Sequence, residues 1–221
     1  RDAGKILNWI SGGNVDAESG RVTYTQWLDE AGKLQADLTV TKLEDGDYFV
    51  VASDNTKRHV EWWMKKHIGD AHAFVSDQTS AFAQINVQGP RSRELLQSIT
   101  NHDMSNDAFL FRDARRIDIG YARVLCLRIT YLGELGYELY VPTEQAVHVY
   151  DRIVAAGAKL GLRHAGLKSL GSLRMEKGYR HFGHDISPGD TPLEAGLGFA
   201  VSFKKAAPFN GRAALERQKA E

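Results

Sequence analysis

The stretch Gly20-Arg-Val-Thr-Tyr24-Thr-Gln-Trp-Leu28-Asp-Glu-Ala-Gly32-Lys-Leu-Gln-Ala-Asp37-Leu-Thr-Val-Thr-Lys-Leu43 holds a strand, a turn and a second strand. Val22, Tyr24, Gln26 and Leu28 alternate with Thr23, Thr25 and Trp27, the period-two pattern of a strand with two different faces. Leu38, Val40 and Leu43 carry a second β-rich run, and Asp29-Glu-Ala-Gly32 reads as the hairpin connection. Tyr24 and Asp37 are therefore expected near each other across a two-stranded pair. Asp37 stands at the start of an apolar run, where burying a carboxylate costs free energy unless hydrogen bonds or a partner charge compensate it. Two readings stand: an Asp that caps a turn through backbone N–H groups, or a carboxylate kept there for chemistry.

Outward from the hairpin, Asp45-Gly46 predicts a tight turn into a third strand, Tyr48-Phe-Val-Val-Ala52. Before it, Ala3, Ile6, Leu7 and Ile10 recur at helical spacing and Ser11-Gly12-Gly13-Asn14 stops the helix. After it, Ser53-Asp54-Asn55 is an N-cap cluster for a helix over about 56–68 with Val60, Trp63, Met64 and His67 on one face. Strands are expected at 74–77, 81–87, 123–130, 137–141 and 197–203. Helices are expected at 90–98 behind Gly89-Pro90, at 144–156 with Val147, Tyr150, Ile153 and Val154 apolar, and at 165–178 with Leu167, Leu170, Leu173 and Met175 apolar. Strands cluster with helices between them and the turns are short, which favours α+β over a doubly wound parallel sheet.

The 221 residues suffice for one or two domains with a sizeable core. Lys+Arg and Asp+Glu balance at 28 each, which argues against a nucleic-acid partner, since such a binder shows a basic excess. The lone Cys126, inside an apolar strand, cannot form an intramolecular disulfide and reads as a core hydrophobe in a reducing compartment. No stretch approaches the ~18 apolar residues of a membrane span, and the first residues do not form a signal peptide, so a soluble, intracellular protein is expected. The chain begins at Arg1 in what reads as a helix, and a fragment of a longer protein is expected.

The wording of the hairpin, Tyr24 followed by Asp-Glu-x-Gly and then Asp37-Leu-x-Val, resembles the folate-binding aminomethyltransferase family, whose type member is the glycine cleavage T-protein. It is more similar still to the C-terminal, tetrahydrofolate-binding region of dimethylglycine and sarcosine dehydrogenases. Thr130-Tyr-Leu-Gly-Glu-Leu-Gly-Tyr-Glu138-Leu matches the family's Tyr-x-Gly-Glu-x-Gly-aromatic-Glu signature. Leu173-Arg-Met-Glu-Lys-Gly178, His181-x-Gly-His-Asp185 and Thr191-Pro-Leu-Glu-Ala-Gly196 follow in the family's order. The resemblance implies an α+β fold of two packed α/β subdomains over 1–203. Residues 204–221 would begin a linker, with the family's C-terminal β-barrel absent.

It also implies site residues. Asp37 is the catalytic candidate and, with Tyr24, Tyr131 and Glu138, a folate-binding one. A carboxylate at 37 would hold the nitrogen that accepts the one-carbon unit, the phenol of Tyr24 would line the folate channel, and Glu138 would accept paired N–H groups from the pterin edge. Tyr24 reads otherwise as an ordinary cross-strand aromatic, and Glu134 would bind or merely organise its turn. The implied cofactors are tetrahydrofolate here and FAD outside this chain, because no Gly-x-Gly-x-x-Gly fingerprint occurs. The implied partners are folate, a small amine and an N-terminal flavin domain, with no membrane, in a bacterial cytoplasm or a mitochondrial matrix. The alternatives are a flavin-independent demethylase acting on a sulfonium compound and a non-catalytic regulatory subunit that keeps the fold.

One position departs from the T-protein. Leu170 stands where that enzyme's arginine meets the folate tail, so the tail's anchor is open and Arg174 reads as a structural ion-pair partner. His181, His184 and Asp185 read as a hydrogen-bonded loop, with no metal expected. Trp9, Trp27, Trp62 and Trp63 read as core and interface residues.

Overall fold

The structure, a computed structural model, describes residues 1–221. In chain order its elements are α1 (Ala3–Ile10), β1 (Arg21–Leu28), β2 (Leu34–Glu44), β3 (Asp47–Val51), α2 (Lys57–Ile68), β4 (Phe82–Gln88), α3 (Ser92–Gln97), β5 (Ala114–Ile119), β6 (Ala122–Leu127), β7 (Gly136–Pro142), α4 (Ala146–Gly157), α5 (Leu167–Glu176) and α6 (Arg212–Ala220). Two antiparallel sheets result, ordered β1-β2-β3 and β4-β7-β6-β5, with helices beside them. The fold is α+β, as the clustering of strands predicts, and no helix is long and apolar enough to cross a membrane. The chain divides into two compact units, Arg1–Ser76 with Arg180–Glu221, and Asp77–Tyr179.

In the first unit the alternation in β1 sorts side chains to two faces. Trp27 pairs with Ala36, Thr25 with Leu38 and Thr23 with Val40. Trp27, Ala36, Leu38 and Val40 then join Leu7 and Ile10 of α1 and Val60 and Trp63 of α2 in one core cluster. Leu28 and Leu34 join a second cluster with Phe182, Ile186, Leu197, Phe209 and Leu215 from the C-terminal segment. Residues 204–221 therefore contribute core side chains and end in α6. Gly32, at φ 76°, turns the hairpin, and Gly211, at φ 78°, lies so close that a Cβ on it would stand 2.5 Å from the Asp29 carbonyl and 2.7 Å from Gly32 Cα.

The second unit packs Val87, Val124, Cys126, Tyr137, Leu139 and Val141 against Leu95 and Leu96 of α3 and Val149 and Ile153 of α4.

Several sequence expectations are corrected. Residues 74–77 form no strand, and Phe74 is 87% exposed there. The expected strand 197–203 is instead a 3-10 turn, Gly198–Ala200, bonded locally by Ala200 N–H to the Leu197 carbonyl and Val201 N–H to the Gly198 carbonyl. Strand β5 was not anticipated, because its exposed Arg115, Arg116 and Asp118 interrupt strict alternation with buried Ala114, Ile117 and Ile119. On α4 the buried residues are Val149, Ile153 and Gly157, while Val147 and Tyr150 face solvent. On α5 the buried residue is Arg174, and Leu167 and Met175 are exposed.

Candidate functional site

Asp37 lies inside β2, directly opposite Gln26 on β1. It is not the turn cap. That role falls to Asp29, whose Oδ1 accepts from the N–H groups of Ala31 and Lys33 at 2.9 Å each. Asp37 Oδ1 accepts from Gln26 Nε2 at 2.9 Å, and the Tyr24 phenol also hydrogen-bonds the carboxylate. Tyr24 and Asp37 are thus together, as the hairpin predicts. Burial pushes the Asp37 carboxyl above the usual carboxylate range, and the bonds from Gln26 and Tyr24 and the nearby charge of His181 partly oppose it. A group held this way keeps its proton more tightly than an exposed carboxyl and can exchange it with a bound amine. Tyr24 stacks on Phe199 with ring centroids 6.1 Å apart, and Phe199 is 79% exposed, so a flat aromatic wall stands beside the carboxyl.

Glu138 lies in the interior of β7, between Asn86 of β4 and Leu127 of β6. Its Oε2 accepts from the Tyr140 hydroxyl at 2.6 Å, and that hydroxyl accepts from Gln84 Nε2 at 3.2 Å. Burial raises the Glu138 carboxyl, with Tyr140 opposing, and the Tyr140 phenol is pushed up in turn by burial and by the charge of Glu138. Gln84, Asn86, Gln88, Glu138 and Tyr140 share one face by register. The Gln88 amide fills the space over Gly136, where a Cβ would meet its Oε1 at 1.7 Å. The strip offers amide and carboxylate groups suited to the donors and acceptors of a heterocycle edge.

Tyr131, in the turn before β7, stacks on Tyr179 with centroids 6.2 Å apart. Glu134 is exposed in the same turn. Arg174 is buried and donates to the Tyr179 carbonyl at 2.8 Å. Asp185 organises its loop by accepting from His181 N–H at 2.9 Å and bonding His184 Nδ1 at 3.0 Å. No group of three or more His, Cys, Asp or Glu side chains is placed to hold a metal. Trp27 and Trp63 are core residues, whereas Trp9 and Trp62 are exposed. Sequence reasoning missed Gln26, Phe199, Gln84 and Tyr140. The alternation in β1 put Gln26 on the face of Tyr24, but its partner could be read only once the register was known.

Residues 1–205 match the family model of the GCVT N-terminal domain. The chain is 39% identical over 214 residues to a 4-methylaminobutanoate oxidase (formaldehyde-forming) of Paenarthrobacter nicotinovorans, a match covering 97% of this chain and 26% of that protein. It is 36% identical over 237 residues to the mitochondrial sarcosine dehydrogenase of Homo sapiens, covering 99% of this chain and 26% of that protein. In fold it is similar to the glycine cleavage system aminomethyltransferase T of Bartonella henselae, with a TM-score of 0.82 at 23% identity over 100% of this chain and 59% of that one. The chain spans about a quarter of the length of the two curated relatives it matches here.

Proposed function

Since the chain belongs to the GCVT N-terminal domain family, we propose that it binds tetrahydrofolate and receives the one-carbon unit of an N-methyl amine oxidised by a flavin-bearing part of a longer parent protein. The observation that carries this reading is the Asp37 carboxyl, half-buried inside a strand, raised in proton affinity, and bonded by Gln26 and Tyr24 beside the Phe199 ring. The residues fit the group. Tetrahydrofolate supplies the secondary amines that take up the carbon. Asp37 holds or receives the proton of such an amine, and Tyr24 and Phe199 present aromatic faces to a flat ring system. Glu138, fixed through one oxygen by Tyr140, accepts N–H groups from a pterin edge, and Tyr131 is a wall residue. Holding the amine where the carbon arrives supplies much of the acceleration. FAD and the amine belong to the parent protein outside these residues, in a bacterial cytoplasm or a mitochondrial matrix.

Asp37→Asn in the full-length parent is expected to leave amine oxidation close to wild type and to lower 5,10-methylenetetrahydrofolate formation by about 100-fold, with formaldehyde released instead. Glu138→Gln is expected to weaken folate binding about tenfold while product yield recovers at saturating folate. An Asp37→Asn protein that forms methylenetetrahydrofolate at the wild-type rate would end this reading. Calorimetry that finds no tetrahydrofolate binding by the wild type would favour a regulatory subunit.

A further inference from the structure

We infer that Gln26 is a positioning residue for the proposed reaction: its side-chain amide anchors Oδ1 of Asp37, so that the carboxyl meets a bound secondary amine in one fixed orientation. The inference rests on the folate reading above and adds a residue to it.

Gln26 is 0% exposed, directly opposite Asp37 across the β1–β2 pair. Its Nε2 donates to Asp37 Oδ1 at 2.9 Å, whereas its Oε1 is buried without a hydrogen-bond partner. A buried polar atom left unpaired costs its full desolvation penalty, so an apolar side chain of the same size would hold this sheet position more cheaply. Stability therefore does not explain the amide, and its one side-chain bond leads to Asp37.

The chemistry explains why an amide serves where a cation would not. An arginine or lysine opposite Asp37 would hold the carboxyl ionised and spoil it as a proton carrier. A neutral amide is a partner for both states. Its NH2 donates to the carboxylate and, after a half-turn about the last torsion, its carbonyl accepts the O–H of the neutral acid. The unpaired Oε1 is the acceptor that second state needs. The other titratable groups acting on Asp37 are Tyr24 on β1 and His181 on the C-terminal segment, so Gln26 is the neutral member of the set.

The test uses Gln26→Met, similar in length and apolar, and Gln26→Glu, in the 221-residue chain. In the ligand-free protein the Asp37 carboxyl is titrated by carbon-13 NMR, its signal assigned by Asp37→Asn. Tetrahydrofolate binding is measured by calorimetry under anaerobic conditions across the same pH range. Gln26→Met is expected to move the Asp37 midpoint upward, because a bond favouring the charged form is lost, and to weaken folate binding about tenfold with the melting temperature unchanged or higher. Gln26→Glu places a second carboxyl against Asp37 and is expected to move the midpoint further up. That variant carries the comparison if Gln26→Met fails to fold. An unchanged midpoint and affinity in a folded Gln26→Met protein would overturn the role of Gln26 alone. Absence of tetrahydrofolate binding by the wild type would overturn the folate reading and the role of Gln26 in it.

Discussion

At the scale of single residues, function and stability pull Asp37 in opposite directions. Its carboxyl is raised chiefly by burial, so folding favours the neutral form relative to the unfolded chain. Between the unfolded carboxyl's ordinary range and the raised folded one, the folded protein binds more protons than the unfolded. Stability from this group is fully present in acid and is lost as pH rises through the folded value. Asp37→Asn is therefore expected to melt higher than wild type at neutral pH, by roughly 2–4 °C for a gain of about 1 kcal/mol, with the difference vanishing near pH 4. Calorimetric melts at both pH values check this, and a variant that melts lower at neutral pH would mean that the carboxylate stabilises the sheet. Tyr140→Phe acts on the other carboxyl. It removes the donor to Glu138 Oε2, and the proton affinity of Glu138 should rise further while folate binding weakens about fivefold. Unchanged affinity and pH dependence would mean that Tyr140 does not orient Glu138. Tyr24, Asp37, Tyr131 and Glu138 could be named from the wording of two short motifs. Gln26 and Tyr140 could not, because an amide or phenol on a strand acquires its partner only from the cross-strand register.

Elements were legible where a short turn joined two alternating runs, as in β1–β2–β3, since the hairpin itself fixes pairing and facing. They were illegible where burial imitated pairing. Leu197 and Val201 are buried and Phe199 is exposed, a strand-like pattern, yet the segment folds as a turn bonded to itself. The converse failure is β5, whose hairpin with β6 has the two-residue loop Gly120-Tyr121 that could have exposed it. On α4 and α5 the apolar residues counted by spacing were partly the wrong face, because exposed large hydrophobics are ordinary on protein surfaces. The element least legible from sequence is the contact between the hairpin turn and the segment leading into α6. Gly211→Ala tests it: the new Cβ would press on the Asp29 carbonyl and Gly32 Cα, at a φ that side chains rarely adopt. Backbone cannot yield as a flexible side chain does, so a loss of about 2–4 kcal/mol is expected, read as a fall in denaturant midpoint. A loss under about 0.5 kcal/mol would mean that the tail is not seated on the turn.

Over the whole molecule, balanced charge leaves pH response to a few buried groups, and Lys205 is the most consequential cation among them. Its Nζ donates to the carbonyls of Asn8, Ser11 and Gly13 at 2.6, 2.7 and 2.8 Å, so one ammonium ties the C-terminal segment to the N-terminal one within the first unit. Nothing in the sequence marked this lysine, because its acceptors are backbone atoms nearly two hundred positions away. Burial, with the charge of Arg212, pushes it down to about 7, while the three carbonyls work to keep the proton. With the folded value below the unfolded one, the cost of burying the charge is fully present under about pH 7. It is relieved as pH rises toward the unfolded lysine range, so wild-type stability should climb with a slope of at most about 1.4 kcal/mol per pH unit. Lys205→Met leaves three carbonyls without their donor and should cost about 3 kcal/mol at neutral pH, despite removing a buried charge. Because the variant lacks the titrating amine, its deficit relative to wild type should widen from pH 7 to pH 9. Urea melts of both proteins across that range decide the matter. A deficit that stays constant with pH would show that the carbonyls hold Lys205 fully protonated throughout, and a variant as stable as wild type would show that the ammonium does not join the two segments.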